Sequence, residues 1–111
     1  IVPDCINIID YMEMTEDIWM VNRYMTDLVN AIGDGVVIVA IQKKENAKYG
    51  RGQEFGLEKP RLYISLDSGR ANIVKGKHWA QKNINPSGKE RRFVIEGGAY
   101  FIPSTPWQDP Q

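Results

Sequence analysis

Ile6-Asn7-Ile8-Ile9-Asp10-Tyr11-Met12-Glu13-Met14 is the stretch on which the fold turns. A short apolar run, Cys5 to Ile9, ends on a carboxylate. Within a buried parallel strand an ionised acid is costly unless it is paired or binds a metal. At the C-terminal end of such a strand it is tolerated, because the crevice where α/β sheets take ligands lies there. An acid in that place can hold Mg²⁺ directly or through water. The plainer reading is a strand followed by a capping Asp.

The following residues bear on that choice. The sequence predicts a strand from Ile1 to Ile9, with Pro3 limiting pairing at its start, and a turn over Met12 to Thr15. Thr15 suits a helix N-cap, and Glu16 and Asp17 suit the first turn, where the helix dipole favours acids. Ile18, Val21, Met25, Leu28, Val29 and Ile32 then recur with the helical period. Trp19 and Met20 widen that face, and Gly33 is a good left-handed stop. Val36 to Ile41 is apolar without alternation, as a strand reads when helices cover both faces of a parallel sheet. It ends on Gln42, a neutral amide that can both donate and accept.

Lys43 to Pro60 breaks all periodicity. Long irregular segments in small domains commonly carry function. Lys43, Lys44, Lys48 and Arg51 offer cations for phosphate, Gly50, Gly52 and Gly56 allow close approach, and Tyr49 and Phe55 offer rings for base stacking. The alternative is a solvated surface loop. Arg61 to Leu66 alternates, placing Leu62, Ile64 and Leu66 on one face of a half-buried strand. Asp67-Ser68-Gly69 is a turn and Ala71 to Trp79 a second strand, so an antiparallel hairpin is expected. Lys75 and Lys77, two apart in a strand, project to the same side. Arg92 to Ile95 and Ala99 to Ile102 are further short strands, and a tail with Pro103, Pro106 and Pro110 reads as a linker or disordered.

Strand-acid, helix, strand-amide resembles the second half of a RecA-like ATPase core, most closely the DnaB-type replicative helicases of phages and plasmids. In that family an Ile-Asp-Tyr-Leu-Gln-Leu-like segment is the Walker B strand; here it reads Ile9-Asp10-Tyr11-Met12-Glu13-Met14. The family's next strand ends in a polar sensor segment, here Ile41-Gln42-Lys43. A basic pair, Lys-x-Arg, and a Gly-Pro-x-Gly turn follow in the family, matched by Lys75-Gly76-Lys77 and Asn85-Pro86-Ser87-Gly88. The resemblance spans about Ile6 to Phe101 and implies an α/β fold: a partial RecA-like P-loop core over 1–102, parallel strands flanked by a helix, plus C-terminal antiparallel strands.

The implied roles follow residue by residue. Asp10 would be the Mg²⁺ ligand, directly or through water, Gln42 the γ-phosphate sensor, and Lys75 and Lys77 fingers reaching the nucleotide of a neighbouring subunit. Lys77 departs from the family's Arg and lacks its planar fork. Lys43, Lys44, Lys48 and Arg51 would meet single-stranded DNA near the channel of a ring, a hexamer in that family. ATP and Mg²⁺ are the implied cofactors. Glu13 is not read as the catalytic base, because that glutamate follows an earlier strand in the family. The other readings are a recombinase- or KaiC-like ATPase, or a noncatalytic α/β nucleic-acid-binding module.

Length and composition bound these expectations. The 111 residues suit one domain or part of one, and 42% apolar residues argue against disorder. No run approaches a membrane span and no signal peptide is evident. Cys5, the single cysteine, forms no internal disulfide and reads as a small buried hydrophobe in a cytoplasmic protein. No Gly-x-x-x-x-Gly-Lys-Ser/Thr loop occurs, and the chain opens on Ile1, so a piece of a larger ATPase is expected. The net charge is zero but uneven. Residues 1–34 carry seven acids and one base, and residues 70–92 carry seven bases and one acid, which hints at a phosphate-facing side. His78, the only histidine, reads as a surface residue.

Overall fold

The computed structural model describes residues 1–12, 20–43 and 59–110. The chain divides into two units, Ile1–Pro60 and Arg61–Gln111. The α/β class expected from the sequence is present as a small parallel sheet in the first unit and an antiparallel sheet in the second.

In the first unit, β1 (Ile6–Met12) and β2 (Val36–Ile41) pair in parallel and are joined through α1 (Val21–Ala31). The register runs from Ile6↔Val36 to Ile9↔Val39, shifts, and resumes at Met12↔Ile41. Val36 to Ile41 forms over the residues expected. β1 does not: it starts at Ile6 and runs on to Met12, so Asp10 lies inside the strand and Met12 is no turn residue. The peptide bond between Asp10 and Tyr11 is cis. Met25 of α1 is buried, with Leu28, Val39 and Ile41 packed against it. The helix stops short of Gly33, whose φ of 59° is the left-handed conformation expected there. Thr15, Glu16 and Asp17 lie outside the described residues.

Burial along β2 alternates although its sequence does not. Among the described residues α1 covers one face only. Ile6, at 73% exposure, and Ile8, at 71%, stand with Val36 and Ile38 on the other. Among the described residues of this unit the expectation of cover on both faces is not met. Cys5 is exposed, not buried; its carbonyl accepts the N–H of Val36 at 2.9 Å, starting the parallel ladder.

The second unit is a four-stranded antiparallel meander of β3 (Leu62–Asp67), β4 (Arg70–Gly76), β5 (Glu90–Glu96) and β6 (Tyr100–Pro103). The hairpin β3–β4 is as expected, but burial on its apolar face is carried by Ala71 and Ile73 of β4, not by their β3 partners Leu66 and Ile64. Leu62, Ile64 and Leu66 are exposed, and Ser65 is buried at 5% exposure. Ser65 lies on the polar side of the sheet: it pairs with Asn72, next to Asp67↔Arg70, where the two side chains form a 3.1 Å ion pair. Glu90, equally buried, pairs with Asn72 from β5. On the apolar side Ala71 and Ile73 are buried, and the rings of Phe93 and Phe101 lie 4.7 Å apart.

The proline-containing tail is not loose. Glu90 and Gln108 exchange backbone hydrogen bonds of 2.8 and 3.0 Å, and the Ser104 N–H donates to the Arg92 carbonyl at 2.8 Å. The Arg92 N–H donates to the Thr105 hydroxyl, and Arg91 Nε to the Thr105 carbonyl. Arg91 sits 5.8 Å from the centre of the Trp107 ring.

Candidate functional site

Asp10 and Gln42 come from neighbouring parallel strands. Alternation along β1 puts Asp10 in the same row as Ile6 and Ile8, and its side chain is exposed. Gln42, also exposed, follows directly on Ile41, the last residue of β2, which pairs with Met12. Acid and amide thus lie toward the same, carboxyl end of one two-stranded sheet, which is where ligands bind to open α/β sheets. Their difference from the sequence expectation is that the acid precedes the strand's last residue instead of ending it.

Asp10 is exposed and no described group of three or more His, Cys, Asp or Glu side chains could hold a metal between them. A single carboxylate is nevertheless a fitting donor for Mg²⁺, which keeps several waters and takes the rest of its octahedron from substrate phosphates. A lone exposed carboxylate such as Asp10 suits a metal that completes its shell with water and phosphate oxygens. Lys43 is half-buried beside Gln42. Lys44, Lys48, Arg51, Tyr49 and Phe55 lie outside the described residues, as does Glu13.

The second constellation belongs to the other unit. Lys75 lies in β4 opposite Tyr63 and is half-buried. Lys77 lies beyond the strand, which ends at Gly76 instead of Trp79, and is exposed. The ladder with β3 reaches one bond further, because the Lys77 N–H donates to the Arg61 carbonyl at 2.9 Å. A shift in register between Tyr63 and Ile64 leaves Val74 as an extra residue in β4 just before Lys75. His78 is exposed, as expected, and Trp79 Nε1 donates to the Lys82 carbonyl at 3.4 Å.

What the sequence reading did not anticipate is how the turn Asn85-Pro86-Ser87-Gly88 meets this pair. The Gly76 N–H donates to Ser87 Oγ at 3.1 Å, and the Ser87 N–H donates to Asn85 Oδ1 at 3.0 Å. A side chain at Gly76 would be crowded, since a Cβ there would come within 2.8 Å of Pro86 Cγ. The signal in the sequence was a glycine between two lysines and an Asn-Pro-Ser-Gly turn; neither specifies the other. No family model, curated protein or solved structure matches the chain. No helix among the described residues is long and apolar enough to cross a membrane.

Proposed function

We propose that the chain is the C-terminal portion of a RecA-like ATPase core of the replicative DNA helicase type, one that hydrolyses ATP at subunit interfaces of a ring, a hexamer as in that family, and moves along single-stranded DNA. One observation carries this reading: Asp10 and Gln42 stand toward the carboxyl end of two adjacent parallel strands connected through a helix. That is the arrangement in which an acid can meet Mg²⁺ and an amide can meet the terminal phosphate of the same nucleotide. Mg²⁺-ATP would supply the reacting phosphate and neutralise its charge. Asp10 would orient the metal's water shell, and Gln42 would change partners when the γ-phosphate leaves. Lys75 and Lys77 would reach the nucleotide of a neighbouring copy, and Lys43, Lys44, Lys48 and Arg51 would follow the DNA backbone.

DNA-stimulated ATP hydrolysis by the full-length gene product tests the reading. Asp10→Asn is expected to lower turnover by roughly 10²-fold or more, since nearly all catalysis of phosphoryl transfer is electrostatic positioning. Normal turnover in that variant would refute the assignment. A full-length product that binds DNA without hydrolysing ATP would place the chain among noncatalytic nucleic-acid-binding modules instead.

A further inference from the structure

The end of β4 that carries the lysines is flanked by unlike neighbours. On one side β3 continues alongside it, through Lys75↔Tyr63 and Gly76↔Leu62. On the other side the β4–β5 register covers only Arg70 to Asn72. It is prolonged by the Ile73 N–H donating to the Lys89 carbonyl at 2.9 Å and the Gly88 N–H donating to the Ile73 carbonyl at 2.6 Å. Beyond that point the chain leading into β5 turns away, closed by the Lys89 N–H donating to the Pro86 carbonyl at 3.1 Å. Among the described residues no strand is left on that side to receive the N–H of Gly76. Ser87 Oγ receives it, so a side-chain hydroxyl stands in for a ladder carbonyl.

We infer that Ser87 is a positioning residue for the basic segment Lys75-Gly76-Lys77, and that this segment takes up a polyphosphate chain only while the Ser87 hydroxyl holds Gly76. The inference rests on the reading of the two lysines as phosphate contacts and names what sets their posture. Gly76 has no side chain to restrict its backbone, so the direction in which Lys77 leaves the strand depends on the bonds made by its neighbours. One such bond is backbone, Lys77 to Arg61. The other is the hydroxyl, itself fixed by Asn85 through the Ser87 N–H. Pro86 presses on the open face of Gly76 and limits the backbone from a third direction. Without Oγ the Gly76 N–H loses its acceptor and the segment samples other directions. Apparent affinity then falls by the fraction of molecules that keep the two ammonium groups in register with one anion.

Titration of the ¹⁵N-labelled chain with tripolyphosphate, followed at the amides of Lys75, Lys77 and, as a control on the sheet, Ala71, Asn72 and Ile73, tests the inference. The unaltered chain is expected to bind and the double variant Lys75→Ala/Lys77→Ala to lose binding. Ser87→Ala is expected to bind roughly fivefold more weakly, the factor that one net hydrogen bond represents, with the control amides unmoved. Ser87→Thr, which keeps the hydroxyl, is expected to restore affinity. Equal binding by Ser87→Ala and the unaltered chain, with the double variant dead, would overturn the role of Ser87 and leave the lysine assignment standing. Failure of Ser87→Thr to rescue, or movement of the control amides in Ser87→Ala, would reduce Ser87 to a structural residue and equally overturn it. Undiminished binding by the double variant, or none by the unaltered chain, would remove the lysine assignment and the inference together.

Discussion

The carboxylate oxygen Oδ1 of Asp4 accepts the backbone N–H of Asp34 at 2.8 Å, joining the approach to β1 to the loop that precedes β2. Asp4 has a φ of 62°, a left-handed conformation that a short polar side chain tolerates. Its own N–H donates to the Ile32 carbonyl at 2.9 Å, at the end of α1. One residue therefore ties the approach to β1 to the connection between α1 and β2.

Asp4→Asn is expected to cost little, because Asn keeps an acceptor oxygen and tolerates the left-handed conformation. Asp4→Ala loses both advantages and is expected to destabilise the first unit by about 1–2 kcal/mol. Urea denaturation followed by far-UV circular dichroism checks this. Equal midpoints for the two variants would contradict the tie.

Gly76→Ala is expected to destabilise the second unit by about 1–3 kcal/mol, the range for an added methyl group in a place without room. The cause is Pro86, whose Cγ lies 2.8 Å from the position the new Cβ would take. Pro86→Ala in the same chain is expected to recover part of the loss. A thermal melt of the single and double variants gives the coupling.

Deletion of residues 104–110 is expected to weaken the sheet and not merely shorten the chain. It removes the Glu90–Gln108 bridge, the Ser104 and Thr105 bonds to Arg92, and Trp107 from above Arg91. Hydrogen exchange at Glu90 and Arg92 is the direct measurement, since their N–H groups donate to Gln108 and Thr105. Unchanged protection at both would mean the tail is dispensable.

Single-stranded DNA is expected to bind weakly and with strong salt dependence. Each neutralised phosphate contributes a slope of about 0.7 in log K against log salt. Four cations, Lys43, Lys44, Lys48 and Arg51, then set a ceiling near ~2.8 on their part of the slope. Fluorescence anisotropy at several salt concentrations measures it, and binding that survives replacement of all four would exclude them as the contact.

The chain alone is expected to give no ATP turnover, because no phosphate loop occurs in its sequence and phosphoryl transfer depends on cradling the phosphates. Turnover that scales with the purified protein and vanishes in Asp10→Asn would contradict this expectation.

Some of this was legible in the residues and some was not, for physical reasons. Val36 to Ile41 was readable because an unbroken apolar run, β-branched except at Ala40, between Gly35 and a polar stop has few other conformations. The end of β1 was not legible, because a charge in an apolar run reads as its end, whereas an exposed row lets Asp10 sit within the strand. In β3, alternation told that the two faces differ but not which is covered. Leu66 stands at 60% exposure while Ser65 is buried among polar neighbours from β4 and β5. The Ser87–Gly76 bond joins residues eleven apart through a hydroxyl, a pairing that no periodicity reports.

The two sheets also differ in how far along the chain their partners lie. The tight pairing of β3 with β4 begins at Asp67↔Arg70, whereas β1 and β2 first meet at Ile6↔Val36. Closing the longer loop costs about 2 kcal/mol more chain entropy, from a roughly tenfold difference in length. The meander therefore has the shorter search, and local contacts form faster than distant ones. In a refolding chain the hairpin around Ser68 and Gly69 is therefore expected to pair before β1 and β2, whose meeting needs the α1 segment between them.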